Sequence, residues 1–193
     1  LKIMKIVIKL PNNIKERLLA FPIVQGIYDY YRKYADDYFF EHREEYKFEI
    51  HLLCQKDNID VLNLLPFDAY YHPLEEEDLK SIFTIHRACV NFKKINTAVD
   101  IYFTLTDSFV DASIGKNIGA RQVVGFDIGK NKWFLTKKVI KDSSKHLTQT
   151  YYDLVNNFFK SSDNPPFAKK RPLEPYYVDW QLNEYVVIDL DLV

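Results

Sequence analysis

The sequence predicts an α/β domain, a parallel sheet with helices on both faces. Three observations carry this. Short β-branched runs alternate with longer stretches of helical apolar spacing along most of the chain. Two of those runs, Ile3 to Leu10 and Asp100 to Leu105, are almost continuously apolar, as strands covered on both faces are. Each run leads through a short polar loop straight into a helix, the pattern of strand–helix–strand crossovers.

The elements follow in order. Ile3 to Leu10 reads as a buried first strand that ends at Pro11-Asn12-Asn13. Ile14 to Tyr34 has apolar residues at helical spacing (Ile14, Leu18, Val24, Ile27, Tyr31) and an internal Pro22, which predicts a kink or a split into two helices. Residues 35–46 are dense in charge and aromatics and read as an irregular insertion or a helix extension. Lys47 to Cys54 is a second strand, and Asp57 can cap a short helix through Leu64. Phe67 to Tyr71 is a third strand, at an edge, followed by a helix over Asp78 to Lys94. Asp100 to Leu105 is a strand that enters Thr106-Asp107-Ser108 and a helix over 108–118. Arg121 to Phe126 is a further strand, Trp133 to Val139 a short extended piece, and Ser143 to Phe159 the last helix of the domain.

This order is Rossmann-like and places a ligand site in advance. Right-handed crossovers put the loops after each strand on one sheet edge, so 10–17, 105–110 and 126–132 should share it. Residues 1–160 form this domain. Residues 161–176, with Ser-Ser-Asp-Asn-Pro-Pro and Lys169-Lys170-Arg171-Pro172, read as a linker. Residues 177–193 contain one more apolar run, Tyr185 to Leu192, expected to be the first strand of a second domain that this chain lacks.

Composition narrows the function. Of the 193 residues, 47% are hydrophobic and 27% charged, an ordinary globular balance. The formal charge of -1 gives no field for nucleic acid, so none is expected as a partner. Cys54 and Cys89 form no CxxC pair, and the histidines show no ligand spacing, so neither a metal nor another cofactor is expected. No apolar run reaches the ~20 residues of a membrane span. Cys54 and Cys89 read as two reduced, buried thiols, and the expected location is the cytoplasm. The aromatic cluster from Tyr28 to Phe40 is dense enough to offer a face to a partner or a membrane surface. No GxGxxG follows the first strand, which argues against a dinucleotide-binding enzyme.

Four stretches, in order, carry a family resemblance. Lys5 to Pro22 contains Leu-Pro-Asn-Asn-Ile-Lys-Glu between a strand and a Pro-containing helix. Asp100 to Phe109 is a strand running into Thr-Asp-Ser-Phe. Gly119-Ala-Arg-Gln-Val-Val-Gly-Phe-Asp127 is followed by Trp133-Phe-Leu-Thr136, and His146 precedes Tyr151 and Leu154 at the spacing His-x4-Tyr-x2-Leu. Together, over about residues 4–159, they resemble the N-terminal, acceptor-side domain of the ADP-heptose:lipopolysaccharide heptosyltransferases.

The resemblance implies one half of a two-domain GT-B fold. It implies an inverting, metal-independent transfer from an ADP-sugar donor, bound by the other half, to a lipid-linked oligosaccharide acceptor of the lipopolysaccharide core. The setting it implies is the inner face of the inner membrane, with peripheral membrane contact. By the same resemblance the general base would be Glu16; Asn12, Asn13, Lys15, Arg17, Asp107 and Ser108 of the two loops, with Arg121 and Lys130 read as lying on or near the same edge, are the expected acceptor contacts. Lys15-Glu16 stands where the family has Gly-Asp, and Val110 where it often has a polar residue. Those departures support the alternative, a non-catalytic relative kept as a binding or scaffold module. Read from the residues alone, Glu16 is also a first-turn acid at a helix N-terminus, and Ser108 a plain helix cap.

Overall fold

A computed structural model describes residues 3–161 except Asn58 and Thr97. The expected linker and final strand lie outside the described residues. Six strands form one parallel sheet: β1 (Ile3–Lys9), β2 (Lys47–Gln55), β3 (Tyr70–Leu74), β4 (Ile101–Thr104), β5 (Gln122–Phe126) and β6 (Lys137–Val139). Their order across the sheet is β3-β2-β1-β4-β5-β6. β1 lies at the centre, parallel to β2 and β4, with Ile6 opposite both Ile50 and Ile101. The order reverses between β1 and β4, which is where open sheets of this kind open a crevice at their strand C-termini.

Four helices cover the two faces: α1 (Ile14–His42), α2 (Ile82–Ile95), α3 (Phe109–Asn117) and α4 (Leu147–Ser161). The strand period of two divides the core. Ile6, Ile8, Ile50, Leu52, Ile101 and Phe103 face α1 and α4, where they meet Val24, Ile27, Leu154 and Phe158. Val7, Leu53, Tyr102 and Val123 face α2 and α3, against Ile85, Cys89, Phe92 and Ile114.

Several expected elements change shape. α1 runs unbroken through Pro22 to His42, so the predicted split does not occur. The proline forfeits one hydrogen bond, but Phe21, Ile23 and Val24 beside it are buried against the sheet and hold the helix in line. Residues 35–42 are its extension, ended by Arg43 in the left-handed region at φ 58°. β3 sits three residues later than expected. The long predicted helix from Asp78 is a 3-10 turn over Glu76–Lys80, then α2. Ser81 divides them by capping the Thr84 N–H in a reciprocal pair with the Thr84 hydroxyl. The extended piece before β6 begins instead as a 3-10 turn over Asn131–Trp133.

The edge of the sheet carries a polar cluster that the sequence did not announce. His51 Nδ1 lies 2.9 Å from His72 Nε2, joining β2 to β3, and His51 Nε2 lies 3.2 Å from Glu49. Phe92 of α2 packs edge-on against His72, and Tyr70 stacks on His51. Burial, with His51 beside it, lowers the His72 pKa from 6.5 to about 4. The unfolded chain therefore binds a proton here at a pH where the folded chain does not. Stability should be full above pH 6.5, fall as the pH drops toward 4, and level off below that. His72→Gln should flatten this slope, by roughly 1–2 kcal/mol after discounting for partial exposure. Urea unfolding at a series of pH values measures it; an unchanged slope in the variant would exclude His72 as its source.

Candidate functional site

The crevice at the reversal point is built from the ends of β1 and β4. After β1 the chain turns through Leu10–Asn13 into α1. Asn13 caps the helix, its Oδ1 accepting from Lys15 N at 2.9 Å and Glu16 N at 3.3 Å. This fixes Lys15 and Glu16, both exposed, on the first turn of α1. After β4, Ser108 caps α3 by accepting from Asp111 N at 3.2 Å. Both caps are what Asn and Ser favour at helix starts.

Two buried cations hold the first loop from below. Lys9, the last residue of β1, is fully buried. Its Nζ donates to Leu10 O at 2.7 Å and to Asn12 Oδ1 at 2.8 Å, and lies 3.5 Å from Asp111 Oδ2. Asp111 also accepts from the Thr106 hydroxyl at 2.7 Å, and the Tyr102 hydroxyl donates to the Asp111 carbonyl. Burial pulls the Lys9 pKa down, while Asp111 works to raise it. Arg17 is also fully buried. It donates from Nε to Pro11 O at 3.1 Å, from one terminal nitrogen to Asn12 O at 3.1 Å, and from the other to Asp57 O at 2.9 Å. The loop thus has its carbonyls drawn inward to Lys9 and Arg17. Asn12 and Asn13, both exposed, have their side-chain oxygens engaged, while their amide NH2 groups make no hydrogen bond among the described residues.

The β4 turn faces the same crevice. The buried Tyr151 of α4 links the two sides: burial raises its pKa first, then the nearby carboxylates of Glu16 and Asp107. α4 itself lies beside α1, the Thr148 hydroxyl reaching Leu19 O. Asp107 pairs with Lys141, which follows β6, and its carbonyl accepts from Asn131 Nδ2 at 2.9 Å. Lys130 stands at the mouth in the loop after β5, its ammonium 5.8 Å from the Trp133 ring centroid.

The expected site residues therefore divide. Asn12, Asn13, Lys15, Glu16, Asp107, Ser108 and Lys130 share the C-terminal sheet edge. Arg17 is in the right loop but buried, with its guanidinium on backbone carbonyls, so here it shapes the loop instead of facing a ligand. Arg121 is misplaced. It precedes β5, at the N-terminal sheet edge, and pairs with Asp100 at 3.5 Å. Strand direction decides this: a residue entering a strand lies a strand's length from the residues leaving it. Sequence reading passed over Lys9, Asp111, Asn131 and Lys141. Lysine inside an otherwise apolar strand was the available signal for Lys9. Among the described residues no three His, Cys, Asp or Glu side chains gather as a metal site.

Comparison with solved structures places this arrangement. A family 9 glycosyltransferase from Veillonella parvula matches over 84% of this chain with a TM-score of 0.62 at 14% identity. The chain has the fold of part of a heptosyltransferase-type glycosyltransferase. The ADP-heptose lipopolysaccharide heptosyltransferase II of E. coli matches over 78% of the chain, TM-score 0.56, 14% identity. E. coli heptosyltransferase WaaC, solved with ADP, matches over 84%, TM-score 0.54, 11% identity. The chain spans 43%, 40% and 49% of these three proteins, less than half of each. No family profile matches the chain, and no curated protein matches it in sequence. The likeness to heptosyltransferases is thus one of fold, and the chemistry has to be argued from the residues.

Proposed function

We propose that this chain is the acceptor side of a glycosyltransferase that moves a sugar from an ADP-sugar donor to a lipopolysaccharide core acceptor. The observation that carries the reading is an exposed carboxylate, Glu16, fixed by the Asn13 cap on the first helical turn after the central strand, at the same sheet edge as Asp107. In this reading the Glu16 carboxylate removes the proton of an acceptor hydroxyl. That oxygen attacks the anomeric carbon as the bond to ADP breaks, inverting the centre. The free amides of Asn12 and Asn13 and the ammonium groups of Lys15 and Lys130 hold the hydroxyl and anionic groups of the acceptor. The Ser108 hydroxyl and Asp107 border it. In this reading the donor is held by a second half of the fold; E. coli heptosyltransferase WaaC, of which this chain spans about half, was solved with ADP and with ADP-2-deoxy-2-fluoro heptose. Work on a lipid-linked acceptor sets the protein against the cytoplasmic side of the inner membrane. Among the described residues no helix is long and apolar enough to cross it.

A second reading has one observation in its favour. Lys15 stands where the resembling family has glycine, and its side chain crowds the approach to the loop. A binding module without catalysis would keep the crevice and lose the chemistry. Acceptor contact tests what the two share. Deacylated lipopolysaccharide core oligosaccharide added to the isotope-labelled chain should shift the amide resonances of residues 12–17, 105–109 and 127–133. Shifts confined to the opposite edge, around Asp100 and Arg121, would refute both readings.

A further inference from the structure

Asn12 stands exposed at the crevice, yet one end of its side chain is tied down from inside the fold. Its Oδ1 accepts from Lys9 Nζ at 2.8 Å, and Lys9 is fully buried at the end of β1. The same ammonium donates to Leu10 O at 2.7 Å and lies 3.5 Å from Asp111 Oδ2. An ammonium has three donors and no acceptor. The Asn12 amide can therefore meet it with oxygen only. Turned over, its NH2 group would set donor against donor beside a buried charge. The charge thus decides an orientation that the shape of an amide leaves open. The β4 turn keeps Lys9 in place. Asp111 accepts from the Thr106 hydroxyl at 2.7 Å, and its N–H is capped by Ser108 at 3.2 Å.

We infer that Lys9 is a positioning residue: through Oδ1 it turns the Asn12 amide so that the NH2 group faces the crevice as a fixed donor to an oxygen of the acceptor. The rest of the loop is arranged the same way. Arg17 takes the carbonyls of Pro11 and Asn12, and Asn13 Oδ1 takes the N–H groups of Lys15 and Glu16. Oxygens turn inward, and the two NH2 groups that are left make no hydrogen bond among the described residues. An unrestrained asparagine offers either end of its amide and loses rotamer freedom when it binds. One held from below offers only the donor and has lost that freedom already. The loop then favours oxygens that can accept, such as those of a carboxylate, a phosphate or a sugar ring. This also gives a reason for a lysine inside an apolar strand, where a buried charge is costly and an apolar side chain would pack. What the NH2 group meets rests on the acceptor reading above; how the amide is held rests on the geometry of this chain alone.

The test uses the full chain labelled with nitrogen-15, first without ligand. Relaxation of Asn12 Nδ2 should give an order parameter above about 0.6, the boundary of flexible groups, and fall below it in Lys9→Met with Asp111→Leu. Deacylated lipopolysaccharide core oligosaccharide should then shift the Asn12 NH2 resonances of the parent. It should bind the double variant about tenfold more weakly, the worth of one well-made hydrogen bond. Asn12→Asp keeps an oxygen on Lys9 but replaces the NH2 group by a second oxygen. Its urea midpoint should not fall, while its affinity for the oligosaccharide drops by about tenfold or more. A purely structural contact between Lys9 and Asn12 would leave that affinity unchanged. Parent-like affinity in Asn12→Asp, or in a double variant whose strand amides match the parent, overturns the inference. So does an Asn12 Nδ2 that is already mobile in the unliganded parent. An oligosaccharide that shifts no resonance of the parent overturns the acceptor reading instead, and the relaxation comparison still decides whether Lys9 holds the amide.

Discussion

Asp111→Ala should destabilise the domain by about 3–5 kcal/mol, the loss typical when one partner of a buried ion pair is removed. The reason is the position of Lys9. Its ammonium is fully buried, and Asp111 is the only carboxylate within ion-pair reach of it among the described residues. Burial already pulls its pKa down, and loss of Asp111 removes the main influence opposing that. Lys9 would then keep only the Leu10 carbonyl and Asn12 Oδ1 as partners, beside the second buried cation, Arg17. The Thr106 hydroxyl would lose its acceptor at the same time. Lys9→Met combined with Asp111→Leu removes both charges and should recover most of the loss, because replacing a buried pair whole is far less costly than breaking it. Urea unfolding of Lys9→Met, Asp111→Leu and the double variant reads the coupling directly. A cost below about 1 kcal/mol for Asp111→Ala would show that the pair does not hold the loop.

This network also shows what the sequence could and could not disclose. The parallel sheet was legible because the central strands are apolar on both faces, and the loops of the site edge followed from strand direction alone. Ser108 as a cap and Glu16 on the first turn of α1 followed from local chemistry. The fate of the charges did not. Arg17 reads as an acceptor contact in the string of residues and Lys9 as a lone lysine in an apolar strand, and only tertiary packing turns their donors onto the carbonyls of Pro11, Asn12 and Leu10. Arg121 was placed at the wrong edge because its neighbours in sequence belong to a family-like motif, while its side chain stands before the strand begins. Pro22 does not split α1 for a related reason. One lost backbone hydrogen bond counts for less than the burial of a whole helix face.

Glu16 carries the chemical claim, and its replacement should have the larger effect on function. Glu16→Gln keeps the size of the side chain and its hydrogen-bonding capacity but cannot take up a proton at neutral pH. Positioned general bases contribute roughly 100- to 10,000-fold to rate, so transfer should fall by at least about 100-fold. Acceptor affinity should change little, because Asn13 holds the same helical turn in both forms through backbone N–H groups. Glu16→Asp shortens the reach by one methylene and should retain activity, since Asp is the residue of the resembling family at this position. The deciding measurement is the rate of sugar transfer from ADP-heptose to a deacylated lipopolysaccharide core by the protein with its complete coding sequence, wild type against Glu16→Gln. The account predicts transfer by the wild type and a loss of about 100-fold or more in the variant. Equal rates in the two would contradict Glu16 as the base, and no transfer by the wild type or by Lys15→Gly with Glu16→Asp would contradict the enzyme reading itself.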